Sequence, residues 1–178
     1  PGPRGYDMRT WIVVSFPILL VEGFYTVLAN TDVLVLTLYH GAADAAIYYA
    51  ALKTTTLIGF IYYAVTTAFA HRFSEYNAAG DAEGLARVMR DAVTWMFWPS
   101  LLAAAGILAL GWPLLWLFGA DFTAAYPVMF VLVVGLVVRA AVGPVEYLLS
   151  MLGQERVCAG ALAVAAAVNI GLTFALIP

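Results

Sequence analysis

Charge is what this 178-residue chain has least of: 11% of its residues are Asp, Glu, Lys or Arg, 64% are hydrophobic, and mean hydropathy is +0.93. A soluble domain carries about 25% charge and 45–50% apolar residues, because its surface must meet water. Eight basic and 11 acidic side chains are too few to cover a core of this size. The net charge of −3 and a pI near 5.2 provide no basic surface, so nucleic acid is excluded as a partner. A single cysteine, Cys158, rules out an internal disulfide, and with two distant histidines, His40 and His71, it forms no metal-ligand cluster. Phosphate-binding loops, dinucleotide fingerprints and nucleophile elbows are missing, so no cofactor and no enzyme activity are expected.

What is present is long apolar runs. Five of them, at 10–38, 45–70, 94–118, 126–152 and 157–177, each exceed the roughly 18 residues that mark a candidate span. The expected fold is an all-α polytopic membrane bundle of about five helices, a single transmembrane lobe over 1–178. Between the second and third runs, 71–93 turns polar. There Ala82, Leu85, Val88 and Met89 recur at helical spacing against Arg87, Arg90 and Asp91, which predicts an amphipathic surface helix running into the third apolar run, with Asp81 as its N-cap. Arg4, Arg9, Arg72, Arg87, Arg90 and Arg156 all fall on one side of this layout, while 39–44 and 119–125 contain no Lys or Arg. Positive residues stay inside, which places the amino end in the cytoplasm, the carboxyl end outside, and the protein in the cytoplasmic membrane. Trp95 and Trp98 lie at one end of the third run and Trp112 and Trp116 at the other. At 1.5 Å per residue the pairs are roughly 26 Å apart, the spacing of two interfacial belts. The start at Pro1 and the stop at Pro178 after an apolar run read as a piece of a longer chain.

Five ionisable residues fall inside the runs: Glu22, Asp32, Lys53, Arg139 and Glu146. Each charge at a helix centre costs about 2.5–3.5 kcal/mol on insertion scales, so they must have partners or water. At 100° per residue, Glu22, Tyr25 and Asp32 share one stripe; Tyr49, Lys53, Thr56, Tyr63 and Thr67 share a second; Gly135, Arg139, Gly143, Glu146 and Ser150 share a third. The third run has no such seam and is the expected lipid-exposed helix. Depth suggests an Asp32–Lys53 salt bridge and a midplane Glu22–Arg139 pair, with Glu146 bridged to Arg139 through water or bound to another cation. Pro17 and Gly143-Pro144 are expected kink and break points. Ala159, Ala163, Ala167 and Gly171 form a small-residue packing stripe in the last run, with Asn169 as an interhelical donor.

One family shares this order of features. The first run ends Asn30-Thr31-Asp32-Val33-Leu34-Val35-Leu36, and the next begins Gly41-Ala42-Ala43-Asp44-Ala45-Ala46-Ile47-Tyr48-Tyr49-Ala50-Ala51-Leu52-Lys53. Ser74-Glu75-Tyr76-Asn77, Gly80-Asp81 and Leu117-Phe118-Gly119-Ala120-Asp121-Phe122 follow. The chain resembles the polysaccharide and lipid-linked-oligosaccharide flippases of the multidrug/oligosaccharidyl-lipid/polysaccharide exporter superfamily. The resemblance implies most of one six-helix lobe of a two-lobe exporter, completed by a second lobe or a second copy. It also implies an isoprenoid-linked glycan as cargo and a proton or sodium ion as coupling partner. On that reading Arg139 and Lys53, with Tyr25, Tyr49 and Tyr63, are the cavity candidates for the cargo, and Glu22, Glu146 and Asp32 the candidates for ion coupling. A drug antiporter of the same superfamily and a non-transporting membrane subunit are the competing readings.

Overall fold

A computed structural model describes residues 8–176. Arg4 and the rest of segment 1–7, and the end of the last expected span at 177, lie outside the described residues. Among those described, the fold is all-α without strands: α1 (Met8–His40), α2 (Ala42–Thr55), α3 (Gly59–Ala78), α4 (Ala82–Trp116), α5 (Tyr126–Val142), α6 (Val145–Met151) and α7 (Glu155–Leu176). Four stretches are long and apolar enough to cross a membrane: Trp11–His40, Ala82–Trp116, Ala120–Val142 and Glu155–Ala175.

The second expected run is the one that differs. A 3-10 turn at Thr56–Ile58 separates α2 from α3, so no single helix covers 45–70. Three consecutive threonines account for it. Thr54 Oγ1 donates to the Ala50 carbonyl at 2.8 Å, Thr55 Oγ1 to Leu52 at 2.9 Å and Thr56 Oγ1 to Leu52 at 2.7 Å. Such back-bonds compete with the helix ladder and tighten or bend it. α1 continues as one helix through position 17.

The break at Gly143-Pro144 is real. Gly143 ends α5 at φ 79°, a backbone conformation that side chains rarely tolerate, and Pro144 precedes α6. Both residues are buried, and a Cβ at Gly143 would stand 2.5 Å from Val93 Cγ2 of α4. The close approach of α4 thus fixes where the fourth run turns.

Segment 71–93 is divided between the end of α3, a turn around Gly80 (φ 67°), and the first turns of α4, which runs on into the third apolar run as expected. Asp81 does cap α4, its Oδ1 accepting from Gly84 N–H at 2.8 Å. The apolar side of this segment forms a core: Phe73, Val88 and Ala92 pack together with Leu148 and Met151 of α6 against them.

α4 is the central post of the bundle, and only one of its sides is covered. Gly84, Val88, Ala92, Met96, Ser100 and Ala104 recur every fourth residue on its buried face, which α3 and α5 cover. Trp95, Trp98, Trp112 and Trp116 lie off that stripe and are exposed. α1 stands outside this α2–α5 core and packs chiefly along α7. The buried face of α7 is Ala159, Leu162, Ala166 and Thr173, so the expected stripe is rotated: Ala167 and Gly171 are exposed. Asn169 Oδ1 is buried without a hydrogen-bond partner.

Candidate functional site

Because the α1–α7 pair leans against the core without filling it, a cleft of about 540 Å³ opens between them. α1 contributes Glu22 and Tyr25, α3 contributes Tyr62, Tyr63, Thr66 and Thr67, and α5 contributes Arg139. α6 adds Glu146, Tyr147 and Ser150, and α7 adds Glu155 and Cys158. A second cleft of about 430 Å³ continues from it along α3 and α5, lined by Thr56, Ile58, Phe60, Leu136 and Ala140. Tyr62, Tyr63 and Arg139 belong to both. One end of the combined groove is therefore rich in ionisable and hydroxyl groups, and the other is mainly apolar, with the hydroxyls of Thr56 and Ser100 on it.

Arg139 is the hinge of this arrangement. Its Nη2 lies 3.5 Å from Glu146 Oε2, and its guanidinium stands 4.7 Å from the Tyr62 ring centre and 5.9 Å from that of Tyr25. Planar guanidinium against aromatic faces is a favoured packing that leaves its N–H fork free at the edges. The side chain is 49% exposed and that of Glu146 38%, so both remain accessible from the groove. Tyr25 Oη is buried without a hydrogen-bond partner, although its ring lines the cleft.

Five expected site residues, Glu22, Tyr25, Tyr63, Arg139 and Glu146, meet in this groove. The expected pairing differs. Arg139 takes Glu146 directly as its ion-pair partner, in place of Glu22 or a bridging water. In an unbroken helix, residues seven apart are separated by about 10.5 Å along the axis; the turn at Gly143-Pro144 brings α6 back within reach. Asp32 and Lys53 do not pair either. Asp32 accepts from the Tyr48 hydroxyl and from Val33 N–H, while Lys53 Nζ lies 4.9 Å from the ring centre of Tyr49, one turn back. Tyr48 and Lys53 are five residues apart, about 140° around α2, so the face that meets Asp32 cannot present Lys53 to it. Lys53, Tyr49 and Asp32 lie outside both clefts.

Among the lining groups that were not site candidates, Glu155 lies just before the last apolar run and Cys158 near its start. Glu155 looks like a loop carboxylate until the turn at Gly153 (φ 68°) starts α7 there and aims its first turn at the cleft. The groove therefore holds three carboxylates, Glu22, Glu146 and Glu155, around one guanidinium. Among the described residues, no group of His, Cys, Asp and Glu is suited to hold a metal ion.

A family model, MatE, matches residues 17–175, which include every residue of the groove. Neither the curated proteins nor the solved structures contain a match to the chain.

Proposed function

The chain belongs to the MatE family, whose members are membrane transporters of the exporter superfamily, and from that premise we propose that it moves a lipid-linked oligosaccharide or polysaccharide precursor across the cytoplasmic membrane by alternating access. The carrying observation is the two-part groove. An isoprenoid-pyrophosphate-linked glycan has an anionic, hydroxyl-rich head and a long apolar tail, and Arg139 stands where the polar and apolar clefts join. Its guanidinium is the group suited to the pyrophosphate, by charge-assisted bidentate hydrogen bonds. Tyr25 and Tyr63 offer ring faces to sugars, while Glu22 and Glu146 take up the coupling proton or sodium ion. Tyr49 and Lys53, on an exposed face of α2, guide the head at a later stage of passage, and Asp32 acts through its hydrogen bond with Tyr48.

In this reading the amino end is cytoplasmic and the carboxyl end of the segment is outside. A second helical lobe, or a second copy, faces the groove and completes the cavity. The test is a reconstituted flipping assay with a fluorescent lipid-linked sugar. Arg139→Ala is expected to lower flipping at least tenfold while membrane insertion is unchanged; flipping at the wild-type rate would overturn the assignment.

One observation favours a second reading. Three carboxylates to one guanidinium leave the cleft net acidic when all are ionised, the charge balance suited to organic cations. Proton or sodium flux stimulated by cationic drugs in proteoliposomes, without sugar-lipid flipping, would establish a drug antiporter instead.

A further inference from the structure

A third cleft, of about 430 Å³, opens on the other side of the α1–α7 pair, lined by Ile12, Val13, Phe16, Leu20, Arg156 and Ala159. Apart from Arg156 its lining is apolar, and Ile12, Val13 and Phe16 are each more than half exposed. The first two residues of α7 separate their charges across the helix: Glu155 lines the polar groove and Arg156 lines this outer cleft. α1 divides in the same way, with Val21, Glu22 and Tyr25 on the groove and Phe16 and Leu20 on the outer side. Arg156 is exposed, and no carboxylate of a described residue forms an ion pair with it.

We propose that this cleft is a binding site for an anionic glycerophospholipid of the surrounding leaflet, its phosphodiester on Arg156 and one acyl chain lying along Ile12, Phe16 and Leu20. Three physical arguments converge. An apolar concavity on a membrane helix pair faces hydrocarbon, and leaving it empty forfeits dispersion contacts, so an acyl chain fills it. From position 12 to position 20 it extends about 12 Å along α1, starting beside the first turn of α7. A guanidinium at that end is placed at the depth of a phosphate headgroup, where it binds the anion by paired hydrogen bonds and adds to the positive end of the α7 dipole. On the arginine distribution this is the cytoplasmic side, where anionic lipids attract basic residues. Arg9, in the first turn of α1, occupies the register position one turn before Ile12 and Val13. The site depends on membrane embedding and not on the cargo.

Native mass spectrometry of the full chain in mild detergent, with phosphatidylglycerol and phosphatidylcholine supplied at equal concentration, tests it. The wild type is expected to retain phosphatidylglycerol several-fold over phosphatidylcholine, because the trimethylammonium of phosphatidylcholine offsets the charge of the phosphodiester that both lipids present to Arg156. Arg156→Gln, on an exposed side chain, should bring the two to equal retention, and Arg156→Lys should keep part of the preference. Leu20→Trp, which fills the cleft, should reduce retention of both lipids. Equal retention by the wild type, or an undiminished preference in Arg156→Gln, would overturn the site. So would displacement of the retained lipid by an equal concentration of a polyprenyl pyrophosphate, which would make the cleft part of the cargo route.

Discussion

Arg139 gathers more interactions than any other charged residue of the groove, and each one sets a limit on what it can do. Its ion pair with Glu146 balances its charge, so under the proposed function an anionic head must compete with an internal carboxylate for the guanidinium. Glu146→Gln removes that competitor while keeping the shape. The expected result in the flipping assay is a several-fold lower half-saturating concentration of sugar-lipid, together with weaker dependence on the coupling ion. An unchanged half-saturating concentration would show that Glu146 does not screen Arg139. The residue types of this centre were legible in the sequence, because a charge inside an apolar run is costly wherever it lies. Partner choice was not, since it turns on which of two faces of α2, about 140° apart, meets α1, and on the break between α5 and α6 in the fourth run.

At the scale of elements, two interruptions shape the groove, and they have different origins. The threonine run tightens the second segment into a 3-10 turn from within, by side chains that take up its own carbonyls. The Gly143-Pro144 turn is imposed by both sequence and neighbour: the backbone needs φ near 79°, and Val93 leaves no space for a side chain. Gly143→Ala therefore meets two penalties, about 1–3 kcal/mol for an alanine held at φ 79°, ψ −167° and roughly 1–3 kcal/mol more for overpacking. A lowered thermal midpoint in detergent is expected, followed by partial recovery on adding Val93→Ala, which relieves the second penalty alone. If Val93→Ala recovers nothing, the contact with α4 is not what limits this position. A loss of sugar-lipid flipping larger than the loss of folded protein would further tie the turn to the Arg139–Glu146 geometry it creates.

At the scale of the whole molecule, the arginine distribution makes the orientation measurable. With Cys158 replaced by alanine, single cysteines at Ala79, in the α3–α4 turn, and at Asp121, between α4 and α5, report opposite sides of the membrane. Impermeant maleimide on intact cells is expected to label Asp121→Cys, and to label Ala79→Cys only after permeabilisation; the reverse pattern would invert the topology. The sequence by itself determined the solvent, the helical class and the family pattern, because hydropathy over about 20 residues and the cost of unsatisfied backbone in lipid leave few alternatives. It also placed the Asp81 cap and the Gly143 break, which depend on local backbone chemistry. The tertiary structure alone decided that α4 is the central post and that α1 leans on α7. It also brought Glu155 into the groove and sent Arg156 to the other side of the same helix turn. Those outcomes depend on which helix faces meet, and periodicity within one segment carries no information about its neighbour.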